Sequence, residues 1–284
     1  MKKILAILFA LCTINVYSEN NDSIDRCKFI VAYDFITNTE DVDGNPVVDS
    51  CQWGVMVGEH STKCEEFNKI MYFDVKEEKY SDLEFYCRKL NTPTFIVNRV
   101  DGTMTVLDRI VPQLYIIEDK IPSIDWKITD GDTLNISGFS CKKATCEYAG
   151  RQWNVWYTEQ IPIPAGPWKL CGLPGMILKA DDGGTHTFTF AGLKNVDCNM
   201  KLCSRLEPKK IAMDKFIQKR NKVYCDKQYV RNPRFYIPEE ALGGAIEMFP
   251  GVEAENNPEN AQTTIAMDMI VPKKVNVYKP LELK

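Results

Sequence analysis

Past its first eighteen residues, the chain carries its apolar residues in short runs rich in β-branched and aromatic types, each closed by turn formers. That pattern suits strands and turns and leaves little room for long helices. Cys27 to Phe35 reads as a strand, and Asp41 to Pro46 as a turn. Trp53 to Val57 and Asn68 to Phe73 read as further strands. Phe95 to Arg99 and Met104 to Arg109 flank Asp101-Gly102, a strong hairpin signal. Leu114 to Ile117, Trp126 to Thr129 and Leu134 to Ile136 continue the series. Cys146 to Tyr148 and Trp153 to Tyr157 form a second hairpin, turning at Ala149-Gly150. Thr185 to Phe190 alternates, with His186, Phe188 and Phe190 on one face. Only Lys209 to Cys225 has helical spacing, with Phe216, Ile217 and Val223 apolar among charges. Gly243 to Gln262 is a loop by composition, and Thr263 to Val271 and Val275 to Leu283 read as closing strands. The fold class is mainly β, an antiparallel sandwich or partly open barrel with one or two helices.

The first residues are a secretory leader. Lys2 and Lys3 precede an apolar run from Ile4 to Ile14, and Val16-Tyr17-Ser18 offers a cleavage site. The run is too short to span a bilayer, which takes roughly 20 residues. Phe9-Ala10-Leu11 is a poor lipobox for Cys12, because bulky Leu11 stands where a small residue is needed. The expectation is a leader over residues 1–18 and one β-rich domain over 19–284, exported to the periplasm or cell surface and not lipid-anchored. The chain has 11 cysteines, and ten remain once Cys12 leaves. An even set in an oxidising compartment reads as a disulfide framework of up to five bonds whose pairing the sequence leaves open. Cys141/Cys146 and Cys198/Cys203 share one spacing, but residues five apart on a strand point to opposite faces. A bond within either pair therefore needs a turn or bulge.

A net charge of −4 with no basic tract argues against nucleic acid as a partner. No apolar stretch is long enough for a membrane span. With only His60 and His186, a histidine-rich metal site is excluded, and no metal or cofactor is expected. There is no nucleophile elbow, zincin, P-loop or dinucleotide motif.

The block Gly166-Pro167-Trp168-Lys169-Leu170-Cys171-Gly172-Leu173-Pro174-Gly175-Met176-Ile177 is a stiff, apolar, Pro- and Gly-punctuated loop running into a strand. It reads either as a plug on one end of the β core, with Leu173 and Ile177 buried, or as the rim of a binding surface. Trp153, Val155 and Tyr157 share one strand face, and Asn154, Trp156 and Thr158 the other. Aromatics on both faces mean a strand buried on both sides, or one side lining a groove for apolar ligands, sugars or peptides.

Residues 137–180 resemble the GLPGLI family of exported Bacteroidota proteins. The matching residues are Gly138-Phe-Ser-Cys141-Lys-Lys143-Ala144, Ala149-Gly150-Arg151-Gln-Trp153-Asn-Val-Trp156-Tyr157, and Glu159 through Gly166-Pro167 to Gly172-Leu173-Pro174-Gly175-Met176-Ile177-Leu178. Lys279-Pro280-Leu281-Glu282-Leu283 also looks like the family's C-terminus. Met176 replaces the Leu of the family's name. The resemblance implies an exported, β-rich single domain, often encoded beside outer-membrane transporter machinery, and carries over no activity.

On these grounds the expected role is non-enzymatic binding of an envelope partner, such as an outer-membrane transporter, or of an apolar or peptide ligand. Trp153, Trp156, Trp168 and Leu173 would form the surface and Arg151 its polar anchor. A hydrolase or thiol enzyme using Cys171 or a carboxylate pair is the alternative of a different class. A purely structural envelope component is the third.

Overall fold

The computed structural model describes residues 23–41, 43–76, 92–110, 113–202, 207–224, 279, 281 and 282. The chain is mainly β. Its strands are β1 (Ser23–Glu40), β2 (Pro46–Gly58), β3 (Ser61–Glu66), β4 (Thr94–Asn98), β5 (Thr103–Ile110) and β6 (Gln113–Lys120). They continue with β7 (Lys127–Ile136), β8 (Phe139–Tyr148), β9 (Arg151–Thr158), β10 (Met176–Asp181), β11 (His186–Lys201) and β12 (Lys209–Lys210). A short helix α1 (Phe67–Lys69) runs into a π-helical turn (Ile70–Val75), and α2 spans Met213–Tyr224.

Among the described residues, all 12 strands belong to one open sheet, in the order β12-β6-β5-β4-β3-β2-β1-β11-β10-β9-β8-β7. Every pairing is antiparallel except β12 with β6. The first six strands, with β12 on their outer edge, form one arm and β7 to β11 the other, and the β1–β11 ladder is the seam between them. Side chains from both arms share one core: Val106 and Ile117 belong to it, and so do Trp153, Val155 and Phe188. At the seam the sheet is buried on both faces. Val31, Tyr33, Trp53 and Val55 face the main core, while Ile30 and Met56 alternate to the opposite face. There they meet Cys27, Ile70 and Met200 under the π-helical turn.

The hairpins form where the turn chemistry permits. Ala149 (φ 55°) and Gly150 (φ 77°) hold the left-handed pair that joins β8 to β9, and Ser137-Gly138 does the same for β7 to β8. The Asp41 carboxylate accepts from the amides of Asp43 and Asn45 and fixes the β1–β2 turn. In α2, Phe216, Arg220 and Tyr224 recur every fourth residue and form the buried stripe. The helix begins four residues later than its spacing suggests, because Lys209-Lys210 pair with β6 instead.

One expected strand is corrected. Asn68 to Phe73 is helical, and its Ile70 covers the outer face of the seam. A short apolar run has no period that separates the two outcomes. The leader, the Gly243 to Gln262 loop and the Thr263 to Val271 strand lie outside the described residues. Within the last expected strand, Lys279, Leu281 and Glu282 are described and are not β. No disulfide joins the described cysteines. Cys141 and Cys146 lie on one strand, β8, so no turn brings them together. Among the described residues, no helix is long and apolar enough to cross a membrane.

Candidate functional site

The Pro/Gly block folds as an interior plug. Ile163 and Ala165 donate to the carbonyls two residues before them, and Met176 and Ile177 then tie back to Ile161 and Ala165. The loop is therefore stitched to itself before it enters β10. Trp168 sits at φ 58°, its amide 3.3 Å from Cys64 Sγ. Its indole packs between Trp153 (5.4 Å between centroids) and Tyr148 (5.5 Å).

This placement decides where the sequence-derived residues lie. Trp153, Trp168 and Leu173 are at most 3 % exposed and form core, not rim. They cannot meet a ligand while the plug is seated. Trp156 is half-buried on the opposite face of β9, with Lys143 Nζ 5.9 Å from its ring. Strand β9 is thus buried mainly through its Trp153, Val155 and Tyr157 face. Arg151 is bound within the protein: it donates to Asp182 Oδ2 at 2.7 Å and to the Leu281 carbonyl at 3.1 Å.

A small cleft lies between the plug and the β3–β4 arm, lined by Cys64, Phe95, Arg99, Trp168, Lys169 and Cys171. Its volume of about 20 Å³ holds roughly one water, so it is no substrate pocket. Cys171 is buried, and burial pushes its thiol up to about 11. A thiol nucleophile has to ionise near neutral pH, so the thiol-enzyme reading of Cys171 has no support here. No group of three metal-ligating side chains occurs among the described residues.

Among the described residues, buried charges gather beneath the π-helical turn, around Glu282, and around Asp182 where Arg151 and His186 meet it. Beneath the π-helical turn, Lys63 Nζ lies 2.7 Å from Glu65 and 2.6 Å from Asp74, all three buried. Asp74 also accepts from the Lys201 amide at 2.8 Å, which ties the turn to β11. This is a close carboxylate pair, but it is sealed and shares one cation, as a structural cluster does.

The second centre joins β5, the plug, α2 and the tail. Lys169 pairs with Glu282, and Arg220 lies 3.6 Å from the same carboxylate and donates to the Glu282 carbonyl at 3.2 Å. Asp108 faces this group, and burial raises its carboxyl to about 7 despite the Arg220 and Lys69 charges. Burial also lowers Lys169. An acid drawn up to about 7 can exchange protons at physiological pH, the property that acid–base chemistry requires. The tail segment is held further by the contact of His186 Nε2 with the Lys279 carbonyl at 3.0 Å. Sequence reasoning missed Lys63, Glu65 and Asp74, which no motif marks, and Asp108, whose charged neighbours Arg220 and Glu282 are distant in the chain. Asp108, Lys169, Arg220 and Glu282 all fell within segments singled out beforehand, but for their strand, loop or helix pattern and not for their charge.

Comparison with known proteins assigns the domain. A family profile described as the N-glycanase peptide N-terminal domain matches residues 71–219, just over half of the chain. The matched span contains the GLPGLI-like block, the plug, Asp108 and Lys169. No curated protein matches the sequence. Two crystal forms of PNGF-II are structurally similar, each at 15 % identity. One has a TM-score of 0.48, covering 68 % of this chain and 33 % of that one. The other has a TM-score of 0.46, covering 67 % and 32 %. The chain thus spans about a third of the length of the structures it resembles. The family match overturns the expectation of a non-enzymatic binding protein and removes the reason to lean away from an enzyme. It favours the hydrolase alternative instead. This chain belongs to the N-glycanase N-terminal domain family.

Proposed function

We propose that the chain serves the hydrolysis of N-linked glycans on peptides, by carboxylate rather than thiol chemistry. The observation that carries this reading is the family match over residues 71–219. Breaking the amide bond between the asparagine side-chain carbonyl and the nitrogen that carries the glycan needs one group to take a proton from water and another to give one to the leaving nitrogen. Asp108, titrating near 7, is the group best suited to that exchange, with Lys169, Glu282 and Arg220 around it. The proposal includes export, guided by the leader-like first eighteen residues, because N-glycosylated substrates would be met outside the cell. It also includes kinship with the GLPGLI group through residues 137–180.

The test is to incubate the full chain with an N-glycosylated peptide and weigh the products. Hydrolysis at the amide leaves a peptide in which aspartate replaces the linked asparagine and a glycosylamine, which water then converts to the free glycan and ammonia. An unchanged glycopeptide across high-mannose and complex glycans contradicts the proposal.

A further inference from the structure

We propose that Cys27 and Cys198 form a disulfide that locks the seam between the two arms of the sheet. The two residues are direct partners in the antiparallel β1–β11 ladder. Their thiols lie within hydrogen-bonding reach of each other, and Cys27 Sγ also lies 3.2 Å from the Phe29 carbonyl. Register places both on the outer face of the seam: Cys27 is fully buried with Ile30, Met56, Ile70 and Met200, and Cys198 packs on the same cluster. Against β2, β1 advances two residues from Cys27 to Phe29 while β2 advances one from Gly58 to Val57, and this bulge turns Cys27 to the Ile30 face. Directly opposed strand residues bring their Cβ atoms to roughly 4.5–5.5 Å, close to the separation a disulfide needs.

The location gives the bond a purpose. Among the described residues, the other ladders lie within one arm or tie β12 to its edge, and the β1–β11 ladder is the one that joins the arms. A bond there closes a loop of about 170 residues, in the range where cross-linking constrains the unfolded chain most. The oxidant is a disulfide donor of the exported compartment. Cys198, the half-buried partner, attacks the donor as its thiolate and releases one donor thiol. Cys27 then loses its proton, attacks Cys198 Sγ and expels the second. Two protein thiols are oxidised and one donor disulfide is reduced to two thiols.

The experiment uses the full chain folded with oxidised glutathione as the donor, alkylated and digested without reduction. The expected product is one linked peptide pair carrying Cys27 and Cys198, 2 Da lighter than the two reduced peptides together, as loss of two hydrogens requires. Alkylation of both residues in the folded protein overturns the proposal, and so does a bond from either to another cysteine. Replacing either residue separates the cases without relying on stability. In Cys27→Ser, Cys198 should become fully alkylatable; continued protection would mean that Cys198 has a different partner. Losing the bond should also lower Tm by roughly 10 °C, as expected for a loop of this length in a domain of this size.

Discussion

Asp182 shows how a single side chain can hold distant segments together. Its carboxylate accepts from the Thr185 and His186 amides, from the His186 ring at 2.7 Å and from Arg151 at 2.7 Å. Burial alone would raise its carboxyl; the His186 hydrogen bonds and the His186 and Arg151 charges outweigh that and bring it down to about 2. A folded value below the unfolded one gives stability that is present above about pH 4 and lost as pH falls toward 2. Asp182→Asn should therefore lower stability by about 2 kcal/mol at neutral pH, since it removes the negative charge that Arg151 and His186 meet in a partly buried site. The gap from the wild type should close between pH 4 and 2. Urea melts across that range check both statements, and a gap independent of pH would contradict them. This network joins β9, β11 and the tail, and so fixes one wall of the ground on which Lys169 meets Glu282.

Among the elements, the plug depends most on exact backbone fit. At Gly175 a Cβ would meet the Thr158 carbonyl oxygen at 2.1 Å and its carbon at 2.6 Å. Both are backbone atoms of β9 that cannot turn aside. Gly175→Ala should cost about 1–3 kcal/mol by overpacking and loosen the plug, read as lower Tm and faster amide exchange at Met176 and Ile177. An unchanged melting curve would show that the loop is not seated as described. The element scale also shows what could be read in advance. The hairpins at Ala149-Gly150 and Asp101-Gly102 were legible because turn residues act locally. The alternation of Thr185 to Phe190 was legible because one face meets the core. The helix over Asn68 to Phe73 was not, because six residues of mixed apolar type suit either state and contact with the seam decides. For Trp153 and Trp168 the residue type was informative but the side was not. Large aromatics serve a core and a groove equally well, and only the closure of the plug over them settles their burial.

At the scale of the molecule, two arms of one sheet close over a common core and meet along a single seam. The mainly β class and antiparallel order were legible in the spacing of short runs. The seam was not, because it pairs the first strand with the eleventh. Nor was the charged centre, whose members come from β5, the plug, α2 and the tail. The same distance hid the function: membership in the N-glycanase N-terminal domain family rests on residues 71–219 taken together, not on any short motif. The central claim is hydrolysis of N-linked glycans through a carboxylate near neutrality, with Cys171 playing no chemical part. Its most direct test is glycan release from an N-glycopeptide by the wild type, Asp108→Asn and Cys171→Ser, each followed from pH 5 to 9. The account predicts release by the wild type with a midpoint near pH 7, a loss of about 100-fold or more in Asp108→Asn, and near-unchanged release in Cys171→Ser. Release that survives Asp108→Asn but disappears in Cys171→Ser, or no release by any of the three, would contradict it.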